Sequence, residues 1–234
     1  MKTRPIIFSG ESVRAIFSGV KTQTRRIVKP HPYIVCGEGG KAFTSGLMPG
    51  TFAYRDSDNG LNKYGRCPYG VPGERLWVRE TWNHAERTGY DAAPNDGRPG
   101  FDESDPDAYN FGPCWYRATD EVLIEGGWKP SIFMPRAASR ITLEIVSVRV
   151  ERLQEISEED AIAEGYREVR CSTCRGSGTH PYGHPCRCGD GYAETQTPPK
   201  EWYRQLWETI HGAGSWDLNP WVWVVEFERV EVAQ

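Results

Sequence analysis

The sequence predicts an α+β fold in which a β-barrel is flanked by short helices and interrupted by long loop insertions. Three observations predict it. The stretch from Arg140 to Leu153 changes its apolar phase midway: Ile141, Leu143 and Ile145 share one face, then Val146, Val148 and Val150 share the other. A one-residue shift in a period of two marks a β-bulge or a strand bending around a barrel, which a flat sheet does not need. Residues 220–227, Pro-Trp-Val-Trp-Val-Val-Glu-Phe, are apolar on both sides of the pleat, as a central barrel strand is. Finally, 25 Gly and 17 Pro supply the turns and irregular stretches of a β-rich chain. The length fits a single domain, 1–234, with loops inserted at 33–66 and 84–112 and a third insertion at 168–195.

The elements follow in order. Ser9 caps a helix that carries Val13, Ile16 and Phe17 on one face, and Gly19 stops it. Lys21 to Val28 reads as a strand with a basic centre, ended by Lys29-Pro30-His31-Pro32. Residues 33–66 have no sustained period and form the first excursion. Turn chemistry at Cys67 to Glu74 leads into a strand from Arg75 to Trp82. The excursion at 84–112 precedes a short strand at Cys114 to Ala118, and Trp128 to Arg136 is extended and punctuated by proline. Ser157 caps a helix from Glu158 to Glu164, closed by Gly165. Thr197 and Pro198 open the last helix as N-cap and first residue. It buries Trp202, Leu206 and Ile210 with Tyr203 and Trp207, and Gly212 ends it. Nine Trp and eleven Tyr supply much of the burial.

A formal net charge of -4 argues against a protein that coats long duplexes, since phosphate neutralisation dominates that affinity. It leaves room for a local basic cleft. No apolar run approaches the roughly 20 residues of a membrane span, and the start of the chain is too polar for a signal peptide. A soluble cytoplasmic protein is the expectation. The odd count of seven cysteines fits a reducing compartment better than a disulfide framework.

Four of those cysteines cluster. Cys171 and Cys174 form a C-x-x-C-x-G-x-G half-site, and Cys186 and Cys188 a contracted C-x-C half. Two thiolates at such spacing meet one ion, and the glycines allow tight turns beneath the sulfurs. The expectation is a structural Zn²⁺ that staples a loop without a core of its own, with His184 as the substitute ligand if one cysteine drops out. The cluster is similar to the zinc-binding repeats of DnaJ-type cochaperones over about twenty residues, departing from them by its C-x-C half.

Lys21, Arg25, Arg26 and Lys29 make a cationic strip directly after the first helix, with Thr22 and Thr24 between. Such a strip holds a phosphate or carboxylate, and a lysine among other cations is a candidate base. A solvated strand edge that deters aggregation explains the same residues. Strand alternation groups Arg75, Trp77 and Arg79, which together suit stacking a base and holding its phosphate, while a core Trp77 with surface arginines explains the same pattern equally well. Arg136 and Arg140 are further candidates, and Glu80 is a salt-bridge partner for Arg26 or Arg140.

Residues 18–26, Ser-Gly-Val-Lys-Thr-Gln-Thr-Arg-Arg, resemble the G-x-K-x-x-x-x-R signature of the ASCH domain, within the PUA-like group. Residues 75–82, 128–140 and 214–223 resemble segments of phage and prophage ASCH proteins. The resemblance implies a PUA-like barrel that works on RNA or a nucleoside. A bacterial branch of small ASCH proteins hydrolyses N4-acetylcytidine, and its proposed catalytic set is a Lys, a Thr three residues later and a Glu on a short helix. Carried over, these are Lys21, Thr24 and Glu164. In a regular strand residues 21 and 24 point to opposite faces, so convergence requires a turn or bulge near Gly19 to Thr22. Two functions follow: an amidohydrolase of N4-acylated cytidine or a related base, or a non-catalytic RNA- or nucleotide-binding module of phage origin. A weaker third is a phage protein that engages a host protein through its excursions.

Overall fold

The computed structural model describes residues 2–29, 34–35, 51–55, 62–84, 114–122, 124, 127–167 and 197–230. Its main sheet is built from β1 (Thr3–Ile7), β2 (Gln23–Ile27), β6 (Arg75–Arg79), β9 (Thr142–Arg152) and β10 (Trp221–Val230), in the order β1-β6-β9-β10-β2. Only β1 and β6 pair in parallel. Around it lie helices α1 (Gly10–Phe17), α2 (Glu158–Ala163) and α3 (Pro199–His211). The class is therefore α+β. The sheet is not closed into a barrel: β1 and β2 are left as its edges. One side chain links the two edge strands: Arg26 Nη2 donates to the Ile7 carbonyl at 2.7 Å.

The phase change in β9 is a bulge. Ser147 pairs with Glu226 and Ile145 with Phe227, so Val146 is the extra residue and is 49% exposed. The bulge does not send the second half of the strand to the other face. It returns Val148 and Val150 to the core that already holds Leu143 and Ile145. β10 is central and buried on both sides. Trp221, Trp223, Val225 and Phe227 enter this first core with Ile6, Phe8, Val13, Ile16, Leu76 and Val78. Val222 and Val224 enter a second core beneath α2 and α3, with Leu153, Ile156, Ala161, Tyr203, Trp207 and Trp216. Each fully buried large apolar side chain contributes about 1.5–3 kcal/mol.

Several expectations are corrected. The excursion at 33–66 holds a three-stranded ladder of β3 (Ile34–Val35), β4 (Thr51–Arg55) and β5 (Asn62–Arg66). The strand beginning at Arg75 stops at Arg79, and Trp82–His84 (β7) leaves to pair with Cys114–Tyr116 (β8). The segment from Ser131 to Ala138 winds into two 3-10 turns, each entered from a proline. Helix α3 starts one residue late, with Pro198 as its cap, and Ile210 is exposed because the buried stripe runs through Tyr203 and Trp207. Among the described residues no helix is long and apolar enough to cross a membrane.

Candidate functional site

The site forms where the turn after α1 meets the end of α2. The Ser9 side chain accepts from the Ser12 N–H and caps α1, as its sequence position predicts. Gly19 ends the helix at φ +73°, a conformation a Cβ would penalise. The chain then folds back, with the N–H groups of Val20 and Lys21 both donating to the Ala15 carbonyl at 3.0 Å. Thr22 N–H donates to the Ala163 carbonyl at 2.9 Å, which docks the turn on α2. Lys21 therefore lies before β2 rather than inside it. Gly165, at φ +111°, closes α2 against this turn. A Cβ there would lie 3.2 Å from the Ala15 Cβ and 3.6 Å from the Lys21 Cβ.

Lys21 is 5% exposed and Glu164 4%. Lys21 Nζ donates at 2.7 Å to Glu164 Oε2 and at 2.7 Å to the Glu164 carbonyl. The other carboxylate oxygen, Oε1, accepts from Arg25 Nη1 at 3.2 Å. Burial pushes Lys21 below the usual lysine range; Glu164 opposes that shift, and Arg26 and Arg25 add to it. Arg25 is wholly enclosed. Its Nε and Nη2 donate to Glu151 Oε1 at 3.0 and 2.6 Å, and Nη2 also donates to Asp160 Oδ2 at 2.8 Å. Burial works against its charge, but Glu164 and Glu151 outweigh burial and hold it above its ordinary value.

The register explains the cluster. Arg25 and Arg149 both pair with Val224 of β10, so two guanidiniums face the same side, one strand apart. Asp160 and Glu164, four residues apart on α2, share a helical face. Asp160 accepts from both Arg25 and Arg149, the latter at 3.1 Å, and from Gln23 Nε2 at 3.1 Å. Arg149 extends the network to Glu226 and Glu151. The Tyr203 ring lies 5.9 Å from the Arg25 guanidinium, and burial raises its hydroxyl well above the usual range.

Thr24 is buried, but alternation turns it with Arg26 to the face of β2 opposite Gln23 and Arg25. Among the described residues its hydroxyl bonds to neither Lys21 nor Glu164. Lys21 Nζ is 5.7 Å from the Phe8 ring centre and the Arg26 guanidinium 5.4 Å, so the amine stands near a ring that Thr24's face also meets. Arg26 is half-buried, and among the described residues its Nε has no partner.

The other predicted residues separate into two places. Arg140 makes a two-pronged bond to Glu80, at 2.9 and 3.0 Å, and its guanidinium lies 3.9 Å from the Tyr116 ring centre. Glu80 is 1% exposed, and burial pushes its carboxyl up against the opposing pull of Arg140. Arg140 is thus committed inside the protein, as is Arg25. Arg75 pairs with Glu144 at 3.3 Å on the outer side of the sheet. There Trp77 is flanked by Arg79 and Arg136, at 5.4 and 5.8 Å from its ring.

Cys171, Cys174, Cys186, Cys188 and His184 lie outside the described residues, and among the described residues no cluster of His, Cys, Asp and Glu is suited to a metal. Cys67 and Cys114 are buried thiols, each pushed up to about 11 by burial, which makes them inert rather than nucleophilic. Sequence reasoning missed Glu151, Asp160 and Phe8. The spacing of Asp160 from Glu164 was a usable signal; Glu151 reaches Arg25 only across the strand between them. No protein-family model, curated protein or solved structure matches the chain.

Proposed function

We propose that the chain is a PUA-like, ASCH-type protein that hydrolyses the amide of an N4-acylated cytidine or a related modified base. The observation that carries this reading is the Lys21 amine: enclosed, lowered in proton affinity, and held at 2.7 Å by a carboxylate from another element. An amine whose proton affinity is lowered gives up its proton more readily than a free lysine and, once neutral, is a base. Lys21 takes the proton of the Thr24 hydroxyl as the Thr24 oxygen adds to the acyl carbon. The tetrahedral adduct collapses with cleavage of the C–N4 bond, and the Lys21 ammonium returns that proton to the departing amine. Water, deprotonated by Lys21, then adds to the Thr24 ester; the acyl–oxygen bond breaks to give the free acid, and the Lys21 ammonium returns the proton to the departing Thr24 oxygen. Glu164 orients Lys21 throughout and stabilises its charged form. The backward turn at Gly19 takes Lys21 out of strict strand alternation, and the reading requires substrate binding to bring the Thr24 hydroxyl, which among the described residues bonds to neither Lys21 nor Glu164, up to the amine.

In the same reading the protein is cytoplasmic, acts on RNA or a free modified nucleoside, and carries a structural zinc on Cys171, Cys174, Cys186 and Cys188. The test of the chemistry is chromatography of cytidine and acetate released from N4-acetylcytidine. Lys21→Ala and Thr24→Ala should each lower the rate by about 10²–10⁴-fold. Release no greater than that of the Lys21→Ala protein would refute the reading for that substrate. Elemental analysis of the purified protein, with zinc lost in Cys171→Ser, tests the metal. The alternative of a non-catalytic RNA-binding module using Arg25 loses support from its three carboxylate partners.

A further inference from the structure

The reaction proposed above uses Lys21 and Glu164 but gives no task to the third group bound to that carboxylate. Glu164 divides its two oxygens: Oε2 accepts from Lys21 Nζ at 2.7 Å, and Oε1 accepts from Arg25 Nη1 at 3.2 Å. The Arg25 side chain is fully enclosed, and its other N–H groups go to Glu151 Oε1 and Asp160 Oδ2. Those carboxylates come from β9 and α2, so the arginine is gripped by the sheet and by the helix that leads into Glu164. A guanidinium is a rigid, planar fork, and a carboxylate tied to it by one oxygen cannot turn freely about its own axis. Among the described residues Glu151 bonds to Arg25 and Arg149, and to neither Lys21 nor Glu164. It reaches the pair only through Arg25.

We infer that Arg25 is a positioning residue: held by Glu151 and Asp160, it fixes one oxygen of Glu164 so that the other stays aimed at Lys21 Nζ, and it places a permanent positive charge behind the pair. The charged groups next to the amine are Glu164 of α2 with Arg25 and Arg26 of β2. One step further out stand Glu151 and Arg149 of β9, Asp160 of α2 and the Tyr203 hydroxyl of α3. Glu164 favours the ammonium, whereas burial and the two arginines oppose it. Arg25 therefore helps the amine to release its proton, and Glu151 restrains Arg25 by offsetting its charge. The effect on rate rests on the hydrolysis reading; the effect on the amine exists with or without a substrate.

The experiment is carbon NMR of the lysine Cε atoms in the full chain across a pH titration, with Lys21→Met identifying the Lys21 signal. Arg25→Met removes the positive charge and leaves Glu164 to Lys21 alone, so the titration midpoint should move up, by about one pH unit or more. Glu151→Gln keeps the shape but removes the negative charge that offsets Arg25, so the midpoint should move down. A merely structural role would move both variants the same way or neither. In Arg25→Met both Glu151 and Asp160 keep Arg149 as a partner. If that variant still fails to fold, the direction in Glu151→Gln decides alone, since Arg25 there retains Asp160 and Glu164. With N4-acetylcytidine, the rise of kcat/KM with pH should be displaced in the same directions, leaving Arg25→Met about tenfold slower at neutral pH for a midpoint one pH unit higher. The assignment is overturned if either folded variant leaves the midpoint in place, or if both move it the same way. Opposite movements in a protein that releases no cytidine uphold the positioning role and refute the hydrolysis reading. Turnover with unmoved midpoints does the reverse.

Discussion

Replacing Glu164 with alanine isolates the physics of the buried pair. The substitution removes the carboxylate that holds Lys21 Nζ at 2.7 Å and leaves that amine only the residue-164 carbonyl. Arg25 keeps Glu151 and Asp160, so the orphaned group is Lys21. Removing one partner of a buried pair costs about 3–5 kcal/mol, and with Arg25 still satisfied the lower end applies. The lysine can escape by losing its proton, which makes the cost depend on pH. Lys21 already lies below its unfolded value of 10.5, and without Glu164 it lies lower still. Between the folded and unfolded values the unfolded chain binds more protons, so stability rises with pH across that window. The window opens at lower pH in the variant. The deficit against the parent therefore narrows as pH rises, by at most about 1.4 kcal/mol per pH unit. Urea unfolding followed by tryptophan fluorescence at pH 7 and near pH 10 measures this directly. Adding Lys21→Met to Glu164→Ala should recover part of the loss at pH 7, because no charge remains to be orphaned. A loss under about 1 kcal/mol, or one that does not change with pH, would refute the reasoning.

Arg140→Met should behave with the opposite sign. It strands Glu80, whose carboxyl already lies above the usual range, so the loss of about 3 kcal/mol at neutral pH should shrink toward pH 5 as Glu80 takes up a proton; unfolding at both pH values measures it. Gly165→Ala adds a Cβ at φ +111° and 3.2 Å from Ala15, so a destabilisation of about 1–3 kcal/mol is expected, together with slower hydrolysis as Glu164 is displaced. Thermal melting and the N4-acetylcytidine assay check the two effects separately. If Lys21 is the base, kcat/KM should rise with pH through an ionisation below 10.5, since only the neutral amine accepts a proton. A rate that falls over that range would count against the assignment.

The residues themselves determined what depends on near neighbours. Ser9 and Ser157 cap α1 and α2 because each needs only an N–H three residues away. Gly19, Gly165 and Gly212 end helices because their backbone conformations forbid most side chains. The phase change at Val146 announced a bulge, and the apolar run of β10 announced a central strand. Lys21 stood out from the cationic strip as a candidate base, but Glu164 and its pairing with Lys21 came only through the resemblance, since a separation of 143 residues carries no signal. Tertiary structure decided everything that depends on which strands become neighbours. The order β9-β10-β2 puts Glu151 and Arg149 within reach of Arg25, and so turns a strip that reads as a surface anion site into an interior network. The same sheet order leaves β1 and β2 as edges, so a strand pattern suited to a barrel ends in an open sheet. Local preference fixes caps and turns through atoms a few residues apart, whereas burial and ion pairing are set by distances that exist only once the sheet has assembled.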